Sequence, residues 1–206
     1  MPRVNFNYFA LHYLNLWLTK DCKWCEALAG ENEEKKLVAL AEAAVHYSVA
    51  RNLPKAFDVE KGIPRYKPVL DAIDNLDPIT FQGDLLIPSI VEVKSQISGT
   101  YGGPDLISLT TKFLWLKMKS PVVIYDGRAM KALGAKPKNI EDYYSRWQKL
   151  FASFGNEISV ACALLHKVPE YSAPHAATPQ YIEGIASQPW FKERVFDVYL
   201  WDLGGR

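Results

Sequence analysis

The sequence predicts an all-α protein, and three observations predict it. Apolar residues recur at helical spacing through most of the 206 residues. Proline and glycine clusters punctuate these runs at helical lengths. The single strand candidate, 121–125, is too short to build a sheet. Hydrophobic residues make up 49% and charged residues 23%, the balance of a globular domain with its own core. The length suits one compact unit over 1–206, or two lobes: 1–93 joined to 151–206, and 94–150 with the site helices.

The elements follow in order. Residues 6–19 are apolar almost all round, with Phe6, Phe9, Leu11, Leu14, Leu16 and Trp17, which predicts a buried helix. Residues 31–52 predict a long amphipathic helix. Glu31, Glu33 and Glu34 suit its positive end, Leu37, Leu40, Ala41, Ala44 and Val45 form its apolar face, and Pro54 stops it. A connection with Gly62, Pro64 and Pro68 leads to a short helix over 69–76. The next helix follows Pro88, with Ile90, Val91, Val93 and Ile97 on its apolar side. Gly99, Gly102, Gly103 and Pro104 mark a turn, and a helix over 105–118 comes after it. Residues 140–154, 159–166, 178–186 and 190–203 predict the remaining helices, with Gly204 and Gly205 as the stop.

Several function classes are excluded. The chain has no phosphate-cradling loop, no dinucleotide fingerprint and no HExxH. No apolar run reaches the roughly 18 residues of a membrane span, and the N-terminus lacks a signal-peptide pattern. These features predict a cytoplasmic protein with no membrane partner. Three cysteines cannot close a disulfide framework, which suits a reducing compartment. Cys22 and Cys25 form a CxxC without two further ligands at zinc spacing, so no metal is expected.

Net charge is only +1, but its distribution is uneven. Residues 94–150 hold 10 basic and 4 acidic side chains, net +6, between segments of net −3 and −2. Phosphate binding needs local cations more than a basic whole. The segment therefore predicts a DNA-facing surface, with Arg128, Lys131, Lys136 and Lys138 as its contacts, or else a solvated lysine-rich face.

The same segment carries the chemistry. Thr111, Phe113, Leu114, Trp115 and Leu116 surround Lys112 with apolar groups. A lysine there either snorkels to water or is partly buried. Desolvation favours the neutral amine, which is the nucleophilic form and can build a Schiff base on a sugar C1′. Asp126 follows Val122, Val123, Ile124 and Tyr125 at the start of the next helix, where its carboxylate can accept N–H bonds from the first turn. A carboxylate so placed can stabilise an oxocarbenium-like sugar or take a proton from an attacking amine or water. Each residue also has a plainer reading: Lys112 a surface lysine like Lys117 and Lys119, Asp126 a structural cap. The two lie 14 positions apart, and a helix, a turn and a short extended segment can return the chain over that interval to one mouth. Tyr101, Trp115 and Tyr125 are candidates to stack on an extruded base.

Thr111, Lys112, Phe113, Leu114 and Trp115, followed by Val123, Ile124, Tyr125, Asp126, Gly127 and Arg128, resemble the helix-hairpin-helix DNA glycosylases, most of all the 8-oxoguanine DNA glycosylase-like branch. The resemblance runs from Gly99 to Leu133. It implies Lys112 as nucleophile and Asp126 as essential carboxylate. It also implies a monomer that flips a base from DNA and cuts its N-glycosidic bond, with or without a lyase step. Two departures stand out. Gly102 and Gly103 lie nine to ten residues before the lysine, where the family's glycines come just before it, and the lysine-to-aspartate interval is short. The four-cysteine iron–sulfur loop of some relatives is absent, so no cofactor is expected. The base implied is an oxidised purine or, as in phage-defence relatives, a hypermodified base such as glucosylated hydroxymethylcytosine. The competing reading is a catalytically inert all-α nucleic-acid-binding or regulatory module.

Overall fold

The computed structural model describes residues 4–167 and 177–205. The protein is all-α, and among the described residues there is no strand. Residue 121 is in a turn and 122–126 are irregular, and Val122, Val123 and Ile124 bury their side chains without pairing in a ladder. No described helix is long and apolar enough to cross a membrane.

Contacts divide the chain into two compact units, 1–20 with 125–206 and 21–124. The boundaries fall at 20/21 and 124/125, not at 93/94 and 150/151. The basic segment 94–150 is therefore shared between the units.

The 21–124 unit contains α2 (Cys22–Ala29), α3 (Glu33–His46), α4 (Phe57–Lys61), α5 (Lys67–Asp74), α6 (Leu86–Thr100) and α7 (Ile107–Met118). Asn32 caps α3, its side chain accepting the Lys35 N–H at 2.9 Å, and Glu33 and Glu34 occupy the first turn. The helix stops at His46, well before Pro54, because Ser48 turns the chain at φ +58°. α7 packs against α2, α5 and α6, which explains why Leu109 through Leu116 are all buried. The α6–α7 turn is built on Gly102 and Gly103, at φ +87° and +85°, a region that L side chains rarely adopt.

The other unit contains α1 (Phe6–Leu16), α8 (Gly127–Leu133), α9 (Ile140–Ala163), α10 (Pro179–Ala186) and α11 (Pro189–Leu203). A π turn, Trp17–Asp21, follows α1, so the chain does not unwind at residue 19. α9 runs unbroken where two helices were expected. Its apolar stripe, Tyr144, Trp147, Phe151, Phe154, Ile158 and Cys162, continues through Gly155 and packs on α1 and α11. Aromatic rings fill this core: Phe6 meets Phe154 and Tyr199 at 5.2 and 5.3 Å, and Trp147 stacks on Phe151 at 4.7 Å.

Candidate active site

Lys112 belongs to the 21–124 unit and is 3% exposed. It sits in the middle of α7, which packs against α2, α5 and α6. Its Nζ donates to Ser108 Oγ, one turn earlier, at 2.8 Å. The i, i+4 spacing places both on one face of the helix, and Ser108 is half-buried. This hydrogen bond lowers the cost of burying the amine. The neighbouring Thr111 turns its hydroxyl back to the Ile107 carbonyl at 3.0 Å. Lys117 is not a surface lysine. Its Nζ donates to Asp74 at 2.7 Å and to the Leu28 carbonyl at 3.1 Å.

Asp126 belongs to the other unit and is the N-cap of α8. Its backbone is extended, φ −131° and ψ 142°. Its Oδ1 accepts the Arg128 N–H at 2.9 Å, and its carbonyl accepts the Met130 N–H at 2.8 Å. The side chain is half-buried. Tyr143, at 0% exposure beneath it, takes a hydrogen bond from the Asp126 backbone, and burial raises its phenol well above the ordinary range.

A second carboxylate lies in the same electrostatic neighbourhood. Asp197 on α11 is 6% exposed, accepting Trp147 Nε1 at 2.8 Å and Arg194 Nη1 at 3.1 Å. Burial pushes its carboxyl up to about 6. Arg194 and Trp147 pull it down, and the charge of Asp126 pushes it up further. The sequence reading missed Asp197. The available signal was an acid three residues after an arginine within the apolar run of α11.

The three base-stacking candidates are all buried among neighbouring side chains. Trp115 is 1% exposed inside the α7 packing. Tyr101 is 5% exposed, meets Phe57 at 4.8 Å with the rings tilted, and donates to the Arg65 carbonyl. Tyr125 is 6% exposed and lies 4.8 Å from Tyr143. Its hydroxyl accepts the Lys138 N–H and contacts Met130 Sδ, both at 3.1 Å.

The four proposed DNA contacts are in one unit, and all are exposed: Arg128 and Lys131 on α8, Lys136 and Lys138 in the loop after it. Arg146 and Lys149 on α9 are exposed as well. The lysines of 94–124 contribute less to any surface field, because Lys112 and Lys117 are engaged inside their unit. Compared with known proteins, the chain matches no family model, no curated protein and no solved structure.

Proposed function

We propose that the chain is a DNA glycosylase of the helix-hairpin-helix type, acting as a cytoplasmic monomer, with Lys112 as nucleophile and Asp126 as the carboxylate that stabilises the sugar cation. The observation that supports this reading is the burial of Lys112 in the middle of α7, with its Nζ 2.8 Å from Ser108 Oγ. The neutral form of a lysine amine is the one that attacks a carbon.

In the proposed reaction the flipped nucleotide's C1′–N bond breaks as the Lys112 nitrogen bonds to C1′, and the base leaves with the bonding electrons. The Asp126 charge offsets the positive charge that develops on the sugar. One amine proton passes to the departing base and the other to the ring oxygen O4′ as the sugar ring opens, leaving a Schiff base that either hydrolyses or proceeds to strand cleavage. The substrate is an oxidised purine, as in DNA repair, or a hypermodified phage base, as in antiviral defence. The α6–α7 turn with its two left-handed glycines supports the hairpin part of the reading.

The test is base release and borohydride trapping on undamaged, oxidised and phage-modified DNA. Lys112→Gln is expected to lose trapping. Asp126→Asn keeps much of the cap and is expected to lose base release with DNA affinity nearly unchanged. A trappable, active Lys112→Gln protein would remove Lys112 from the mechanism. Salt-dependent DNA binding with no base release from any of the DNAs would instead favour the inert nucleic-acid-binding module, which needs only the exposed cations of α8 and the loop after it.

A further inference from the structure

Arg128 is exposed, yet it is held on three sides. Its guanidinium carbon stands 4.0 Å from the centre of the Trp201 ring on α11. Gly204 lies so close beneath its backbone that a Cβ there would come within 1.9 Å of the Arg128 carbonyl oxygen. A Cβ on Gly205 would come within 3.0 Å of Nη1. The helix stop at Gly204 and Gly205 is thus also a seat for Arg128. Despite this seating, the guanidinium makes no ion pair or side-chain hydrogen bond with any described residue. Asp126 accepts its backbone N–H, and not the side chain.

From this arrangement we infer that Trp201, Gly204 and Gly205 hold Arg128 ready to grip one phosphodiester of a DNA strand. An arginine stacked on an aromatic face still presents its planar fork edge-on, and that fork matches two phosphate oxygens. A free arginine side chain would have to be ordered when DNA binds, whereas this one is ordered in advance. Trp201 is half exposed, with the guanidinium on its face, so its role is positioning. The surroundings favour a polyanion over a single carboxylate. Lys131 follows one turn along α8, and Lys136 and Lys138 follow the left-handed turn at Gly134. Of the nearby acids, Asp142 is bound to the Lys136 N–H and to Arg146, while Asp126, Glu141 and Asp202 remain as local opposition.

The inference rests on the DNA-acting reading, and the experiment separates the two. Binding of a labelled duplex is measured by anisotropy over a range of salt, with base release and melting temperature alongside. Arg128→Ala is expected to flatten the log–log salt slope by about 0.9, the value for one lost phosphate contact. Arg128→Lys keeps the charge but not the fork, so the slope should stay while affinity falls. Trp201→Ala should weaken binding about three- to tenfold with the slope nearly kept, and Trp201→Phe should restore most of it. If Trp201→Ala does not fold, Trp201→Leu covers the same helix surface without a π face and decides the matter. Lowered melting temperature with unchanged DNA binding in both the Arg128 and Trp201 variants overturns the inference and leaves the glycosylase reading standing. A wild-type protein with no salt-dependent DNA binding overturns both.

Discussion

The two units treat a buried carboxylate in opposite ways. In the 21–124 unit, Asp74 is shared by two amines. Lys36 reaches both of its oxygens at 2.9 and 2.7 Å, and Lys117 reaches Oδ1 at 2.7 Å. Burial alone would raise the Asp74 carboxyl, but hydrogen bonds from Lys117 and Lys36 outweigh it and hold the group below the ordinary range. In the other unit, Asp197 has one cation, Arg194, and one neutral donor, Trp147. Deeper burial and the Asp126 charge outweigh those partners and leave it at about 6. The number of cations per carboxylate, set against depth, decides whether the acid anchors the fold or strains it.

The largest expected effect tests the anchoring side. Asp74→Leu removes the acceptor that α3, α5 and α7 share, leaving the amines of Lys36 and Lys117 in a largely buried place. Breaking a fully buried pair costs about 3–5 kcal/mol; because Asp74 and Lys117 keep some contact with water, a loss of about 2–4 kcal/mol is expected. Urea unfolding at neutral pH measures it. A loss below about 1 kcal/mol, the range of exposed ion pairs, would break the contrast between the units.

The next effect is opposite in sign along the pH axis. Asp74 has a depressed carboxyl, so its contribution is present above the unfolded value of 3.8 and is lost as pH falls through its lower folded value. Asp197 has a raised one. Between pH 3.8 and about 6 the folded state holds a proton that the unfolded chain has released. Stability therefore falls as pH rises through that window, by about 2 kcal/mol. Asp197→Asn should flatten this slope while leaving the acid-side loss from Asp74 in place. Asp126→Asn should shift the Asp197 transition to lower pH, because it removes one of the charges pushing that group up. Unfolding free energies at half-unit pH steps from 3.5 to 7 would show both. A wild-type profile that rises steadily to pH 7 would contradict the assignment.

The same contrast marks what sequence could and could not supply. Asp126 was readable as a cap because capping is local: an acid, then a glycine, at the end of an extended apolar stretch. The turn at Gly102 and Gly103 was readable for the same reason. The burial of Lys112 was not, since local sequence left it open between core and surface. The answer depends on α2, a helix the sequence reading did not predict, and on α5 and α6 closing around α7. The aromatic residues misled in the reverse direction. Tyr101, Trp115 and Tyr125 look like a binding surface in a basic segment, but their faces are taken by neighbours distant in sequence, such as Phe57 and Tyr143. The sequence reading ended one helix at 154 and began another at 159, on either side of Gly155. The apolar stripe on either side of it outweighs the roughly 1 kcal/mol that a mid-helix glycine costs. Asp197 had only the i, i+3 spacing to Arg194 as a local signal, and Trp201 had none, because their other partners come from α9 and α8.

The smallest expected effect probes how far the 21–124 unit tolerates buried polarity. α7 buries three polar residues in succession, and two of them bond: Thr111 to the Ile107 carbonyl and Lys112 to Ser108. Thr110, at 0% exposure, does not. Its hydroxyl oxygen has no hydrogen-bond partner among the described residues. A buried hydroxyl left in this state costs about 1 kcal/mol or more, and valine has nearly the same shape without that cost. Both residues are β-branched, so the helix backbone and the χ1 preference change little. Thr110→Val is therefore expected to raise stability by about 0.5–1 kcal/mol, an unusual direction for a core substitution. Thr111→Val removes a made bond and should lower stability by a similar amount. Comparing the two midpoints in urea isolates the hydroxyl, because the substitutions are chemically identical and one residue apart. If Thr110→Val destabilises as much as Thr111→Val, then the Thr110 hydroxyl is satisfied in solution. The 21–124 unit would then bury polar groups on α7 only where each has a partner.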